Sequence, residues 1–231
     1  MIWLNEIIAS VNRYGALFLS GTISTLTLSF LTVLFGVIFG TMFAMMKLSK
    51  KKILNVPANI YIEIIRGTPI FLQLVLIYFG LPQIGVRFPN IDGFAFFPEC
   101  MSALIALVMN STAYVAEIIR AGITSIDKGQ TEAARSLGMP ENMAMKLIIL
   151  PQAYKNILPA LCNEFVTIIK ETAIVSVVGY QDLMYAAQQV RIDTFKVFPP
   201  LLVAGAVYFV LTFTTSRLIA VLEKRWARSD A

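Results

Sequence analysis

The sequence predicts an all-α integral membrane protein with about five transmembrane helices and one long polar cytoplasmic loop. Its N-terminus lies outside and its C-terminus inside. Three observations carry this expectation. The 231 residues are 57% hydrophobic and only 14% charged, whereas soluble domains carry about 25% charged residues; the mean hydropathy is +0.73. Uncharged runs are long enough to span, because roughly 20 residues cross a hydrocarbon core about 30 Å thick. The cations gather at the ends of those runs, in the pattern of the positive-inside rule. The net charge of +5 therefore points to a membrane and not to nucleic acid.

Residues 1–13 (MIWLNEIIASVNR) have apolar positions at Ile2, Trp3, Ile7, Ile8 and Val11. They read as a short interfacial helix with Trp3 at headgroup depth. The first span is about 14–46, which contains no charge. Lys47, Lys50, Lys51 and Lys52 follow and mark the cytoplasmic side. The second span is about 57–81 and the third about 100–119. The Pro-, Gly- and aromatic-rich segment between them (82–99) reads as an external loop. Arg120, Lys128, Arg135, Lys146 and Lys155 place residues 120–156 inside. The fourth span is about 157–178, residues 180–196 form an external amphipathic helix, and the fifth span is about 197–219. Lys224, Arg225 and Arg228 hold its end inside. No repeat, linker or low-complexity tract divides the chain, so 1–231 reads as a single transmembrane domain, with no signal peptide evident.

Charged groups in a bilayer cost upward of about 2.5 kcal/mol, and usually face a bundle interior or a water-filled path. The fourth span carries Asn163, Glu164, Thr167, Lys170 and Glu171 at helical spacing. Asn110, Tyr114 and Glu117 do so in the third, Arg66 and Gln73 in the second, and Tyr208, Thr212 and Thr215 in the fifth. Four amphipathic spans around a shared polar axis predict a polar-lined translocation path. Glu164 lacks a local cation on its face and is the best single candidate for a ligand contact. Glu63 and Arg66, at i and i+3, are spaced to neutralise each other, and Lys170 with Glu171 reads as structural. Pro69 in Arg66-Gly67-Thr68-Pro69 predicts a kink, since its ring collides with the carbonyl of Ile65. A kink beside an Arg suits an anion site or a packing device.

With no histidine and only Cys100 and Cys162, no metal set and no nucleophile–base pair can be assembled. The G-x-x-x-x-G-K-[ST] phosphate loop is absent. The chain reads as a non-enzyme that binds no cofactor itself.

The organising stretch is 130–151, QTEAARSLGMPENMAMKLIILP, a polar helix-favouring segment interrupted by Gly138 and Pro140. Those two residues end one helix and begin another, and Pro151 is expected to close the approach before the next span. Glu132, Ala133, Ala134, Gly138, Ile148, Leu150 and Pro151 stand at the spacing Glu-Ala-Ala, three residues, Gly, nine residues, Ile-x-Leu-Pro. It resembles the cytoplasmic EAA loop of permeases of the ABC importers, through which a membrane subunit docks on its ATPase. By that resemblance Glu132, Ala133, Ala134, Arg135 and Gly138 are docking residues. Small Ala133 and Ala134 would lie close in the partner's groove, with the charges of Glu132 and Arg135 at its rim.

Three further segments, 61–82, 110–123 and 158–179, make the whole chain similar to ABC permeases for polar amino acids. Thr112 stands where Gly is common in them, and Cys162 where another small residue is. The resemblance implies a coupling-helix loop at 120–156, two ABC ATPase subunits carrying ATP and Mg, and an extracytoplasmic amino-acid-binding protein. It also implies a second permease copy completing a homodimer in the bacterial inner membrane. An amino acid is a zwitterion, so Glu164 with Asn163 beside it would take the ammonium, and Arg66 with Gln73 the carboxylate. Asn110, Tyr114 and Thr167 complete the expected substrate path. An ABC permease for another small polar solute, and an ion-coupled secondary transporter using Glu164 and Glu171, are the competing expectations.

Overall fold

The computed structural model describes residues 2–86 and 101–228. The expected external loop and Cys100 fall largely or wholly on residues 87–100, outside the described residues. The described chain is helical throughout: α1 (Ile2–Leu48), α2 (Lys52–Arg66), α3 (Ile70–Val75), α4 (Leu81–Gln83), α5 (Met101–Thr124), α6 (Lys128–Ser136), α7 (Glu141–Ala144), α8 (Leu150–Glu171), α9 (Leu183–Thr194) and α10 (Phe198–Arg228). A π turn joins α3 to α4 at Leu76–Gly80 and another joins α7 to α8 at Met145–Ile149; a 3₁₀ stretch, Thr172–Val178, follows α8.

Among the described residues, three helices are long and apolar enough to cross a membrane: α1 from Glu6, α5, and α10 as far as Val221. The pair α2 and α3–α4 makes a fourth if its break is counted within one span. The expected fourth span, in α8, is not among them, because Asn163, Glu164, Lys170 and Glu171 offset its apolar residues.

Four expectations of local structure change. The first 13 residues are not a separate interfacial helix; they continue into α1, since nothing between Arg13 and Gly15 costs enough to break it. A single Gly costs only about 1 kcal/mol in a helix. The second span does not merely kink. α2 stops at Arg66 and α3 starts at Ile70, with Pro69 extended at φ −61° and ψ 136°. Pro151 does not close the loop either. It sits inside one helical run, where the preceding π turn widens the backbone so that its ring clears the upstream carbonyl. The fourth span narrows to 3₁₀ after Glu171 and ends at Gly179 in the left-handed region, φ 88°.

The chain forms two compact units, Met1–Leu34 with Thr68–Val108 and Phe165–Ala231, and Phe35–Gly67 with Met109–Glu164. The second unit buries Ala44, Ile62, Ile65, Val115, Ile119, Ile123, Ile149 and Ile157 in one core. Its apolar contacts come from α1, α2, α5 and α8, and they hold the loop segment 145–150 against the span ends.

In the first unit Phe18 packs with Leu183, Ala187, Val190, Val203 and Ala204, so the start of α1 lies on α9 and α10. Asp182 fixes this junction. It is fully buried, caps α9 by accepting from the Tyr185 N–H at 2.8 Å, and accepts from the Tyr208 hydroxyl at 3.2 Å. Thr25 Oγ1 accepts from the Leu183 N–H at 3.1 Å. Burial pushes the Asp182 carboxyl up to about 6 against these hydrogen bonds.

Gly21 of α1 passes so close that an added Cβ would lie 2.7 Å from the Asp182 carbonyl oxygen. Gly21→Val is therefore expected to lower the thermal midpoint of the detergent-solubilised chain, at a cost of about 1–3 kcal/mol for overpacking. Gly15→Ala, where an added Cβ meets nothing within 4 Å, is expected to leave it unchanged or raise it, since Ala favours the helix. Equal melting of the two variants would refute the close approach at Asp182.

Candidate substrate path and docking loop

The loop is built as a helix, a turn and a return. Asp127 caps α6, its Oδ1 accepting from the Gly129 N–H at 2.6 Å. Gly138 makes the turn at φ 83°, a conformation that side chains other than glycine's disfavour, and Pro140 stands at the N-cap of α7. Lys50 Nζ reaches both carboxylate oxygens of Glu141 at 2.8 Å, which ties the loop to the end of α1. That ammonium holds the Glu141 carboxyl below its ordinary range.

The five expected docking residues divide. Glu132, Ala133, Arg135 and Gly138 are exposed, while Ala134 is buried within the chain. The small size of Ala134 thus serves the packing of α6 on its own unit. An apolar surface that the sequence reading missed lies on the same loop: Leu137 is 85% exposed, with Leu147 and Met143 also open. The available signal was a leucine directly before the turn glycine, at a position that no helix face buries.

Among the expected substrate residues, five belong to one unit. Glu164 is buried and its Oε1 accepts from the Ser111 hydroxyl at 3.2 Å. Asn163 beside it is exposed, and Asn110 is buried. The Arg66 guanidinium lies 5.4 Å over the Tyr114 ring and 3.9 Å from the Glu117 carboxylate. Glu164 and Arg66 thus contact side chains three residues apart on α5, a rise of about 4.5 Å. The other two, Gln73 and Thr167, belong to the first unit. Gln73 is buried and its amide donates to the Thr68 carbonyl at 3.1 Å and the Thr68 hydroxyl at 2.9 Å, which stabilises the broken helix. Thr167 is half-buried.

Glu117 is the centre of charge in its unit. It takes Lys47 at 3.0 Å, the Arg120 Nε at 2.9 Å and the more distant Arg66. The carboxylate near Arg66 is therefore Glu117, from another helix, and not Glu63 from its own. Lys47 and Ser111 are the partners that sequence alone did not select.

The comparisons with known proteins agree with this architecture. Residues 33–228 match the family described as "Binding-protein-dependent transport system inner membrane component". The chain is 45% identical to the putative glutamine transport system permease protein GlnP of Rickettsia conorii, over 89% of this chain and 90% of the relative. It is 42% identical to the arginine transport system permease protein ArtQ of Bacillus subtilis, over 92% and 93%. A solved structure of an amino acid ABC transporter with histidines is similar at TM-score 0.87 and 50% identity, over 94% of this chain and 97% of that one.

The shared carboxylate sets a stability order. Glu117→Gln leaves Lys47, Arg120 and Arg66 facing one another and is expected to cost about 1–3 kcal/mol. Arg66→Gln, at the long and half-exposed end of the cluster, is expected to cost about 0–1 kcal/mol. Denaturant or thermal unfolding of the two variants checks the order, and a larger loss at Arg66 would contradict it.

Proposed function

The chain belongs to the family of binding-protein-dependent transport system inner membrane components, and from that premise we propose that it is the membrane subunit of an ATP-driven amino-acid importer. The observation that supports this most directly is the pairing, in one compact unit, of an exposed loop helix with oppositely charged Glu164 and Arg66 beside α5. A zwitterion needs that pair of charges. Relatives named for glutamine and arginine transport favour an amino acid over other small solutes.

On this reading Glu164 receives the ammonium, with Asn163 and Asn110 in the same unit. Arg66 receives the carboxylate, its guanidinium steadied by Tyr114 and Glu117 while several of its five N–H donors remain for ligand. In the other unit Gln73 holds the break beside Thr68, and Thr167 continues the polar stripe of the fourth span. Glu132, Ala133, Arg135 and Gly138 meet the ATPase, and Leu137 adds an apolar anchor to that contact. Two ATPase subunits carry ATP and Mg. A second copy of this chain completes the membrane dimer, and an extracytoplasmic binding protein delivers the amino acid. Closure of the ATPase pair draws the two loops together and opens the path outward; hydrolysis reverses it.

Deletion of residues 131–138 is expected to abolish co-purification of the ATPase, and tight binding without them would remove the docking assignment. In the reconstituted complex with its binding protein, ATPase activity is expected to rise with one group of amino acids. Stimulation by a different class of solute would keep the architecture and replace the substrate.

Glu164→Ala should raise the apparent transport constant about tenfold or more, the loss of a charged hydrogen bond. Uptake with unchanged apparent affinity would reject the ammonium role.

A further inference from the structure

The first unit holds a pocket away from the residues considered so far. It measures about 400 Å³ and is lined by Glu6, Ser10, Arg13, Tyr14, Thr194 and Lys196. Ligand pockets begin at roughly 300 Å³, so the volume suits a small polar group. The pocket forms where the first turns of α1 meet the end of α9, a junction sealed below by Tyr14, Phe18 and Val190.

Its charge is positive. Glu6 Oε1 accepts from Lys196 Nζ at 2.8 Å, which leaves two further ammonium hydrogens. The Arg13 guanidinium lies 5.4 Å from the centre of the Tyr14 ring, and among the described residues no carboxylate is within ion-pair range of it. Two cations and one carboxylate make a site for a monoanion.

Its depth is fixed by the sequence on either side. Arg13 is the last charged residue before the uncharged run 14–46, and Lys196 is the last before α10 enters its apolar stretch at Phe198. Both cations therefore stand at the ends of the apolar runs of two packed helices, where the cost of burying a charge in hydrocarbon holds them at headgroup depth or beyond. The surroundings are apolar and open. Phe195 is 93% exposed and is held in the left-handed region at φ 55°, a costly conformation for a bulky side chain. Val197 and Phe198 are also exposed, as are Ile8 and Val11 on α1. A pocket for an anion bordered by outward apolar side chains matches a molecule with a phosphate and acyl chains.

We propose that this pocket binds the phosphate headgroup of an anionic glycerophospholipid, held by Arg13 and Lys196, with its acyl chains along Phe195 and Phe198.

The test uses the full chain, purified from bacterial membranes in a mild nonionic detergent, with bound phosphatidylglycerol counted by native mass spectrometry. Retention is expected to fall about fivefold for each cation removed, so most steeply in the double variant Arg13→Gln with Lys196→Gln. Arg13→Lys with Lys196→Arg should restore it, and Lys52→Gln, which removes an exposed cation of the other unit, should leave it intact. Size-exclusion and melting profiles that match the parent chain show that the variants are folded. Equal retention by the double variant, or equal loss in Lys52→Gln, would overturn the site. So would equal retention of uncharged diacylglycerol. Displacement of the lipid by millimolar inorganic phosphate would assign the pocket to free phosphate instead. If the double variant kept its lipid but lost a partner protein, the pocket would be a protein contact and the proposal would fall.

Discussion

In hydrocarbon no water is present to satisfy a backbone N–H or C=O, so every interruption of a helix must repair itself from within the protein. This constraint explains the irregular places in the chain. At the break in the second span, the Gly67 N–H returns to Glu63 and the Gln73 side chain donates to the Thr68 carbonyl. The two π turns each lead into a Leu-Pro pair, Leu81-Pro82 and Leu150-Pro151. In both, the leucine N–H reaches back five residues, to Leu76 or Met145. Widening the turn moves the upstream carbonyl out of the proline ring's way without abandoning the helix. The 3₁₀ stretch ends in the same spirit, with the N–H groups of Gly179 and Tyr180 bonded to Ser176 and Val175 around a left-handed glycine.

The charges follow a related rule. A bare charge near lipid is costly, and sharing a counter-charge lowers that cost. Glu117 serves three cations from three helical segments of one unit, and its side chain is only 19% exposed. The Lys50–Glu141 contact, by contrast, has side chains 82% and 53% exposed. A pair so open to water contributes little to stability and positions the loop more than it stabilises it. Arg66 lies between these cases. An aromatic face and a distant carboxylate steady it but do not saturate it, which is the condition a residue needs to bind a transient ligand.

Much of this was legible in the sequence, and what was not has definite causes. The loop at 120–156, its helix and its turn at Gly138 were readable because glycine and proline punctuate the backbone directly. The polar stripes were readable because a charge inside an apolar run has few uses. The partners were not. Choosing Glu117 over Glu63 for Arg66 depends on how α2 meets α5, which local spacing does not encode. The continuity of α7 and α8 through Pro151 was hidden because proline usually ends a helix, and the π turn that spares it has no composition of its own. Ala134 was read as part of the docking face because small size suits a partner's groove and the chain's own core equally. Asp182 looked like one acid in a polar external segment, and only the approach of α1 at Gly21 buries it.

The helical run beginning at Glu141 joins the two functions proposed for the chain. From α7 through the π turn to Glu164 it stays within one compact unit. Leu150 and Glu164 are 14 residues apart, about 21 Å along a helix. Residues 145–150 pack into the same core as Ile119, Ile123 and Ile157, so a push on the loop moves a braced rod and does not merely bend a tether. The far end of that rod carries the carboxylate that meets Ser111. Two irregularities lie along it, the π turn between the docking surface and the first residue of α8, and Pro159 within α8, which removes one bond of its ladder. A displacement delivered at Leu137 or Arg135 would then be carried along this helix to Glu164. On the proposed reading, this is how ATP-driven motion outside the membrane changes the affinity of a site within it without any contact between nucleotide and substrate.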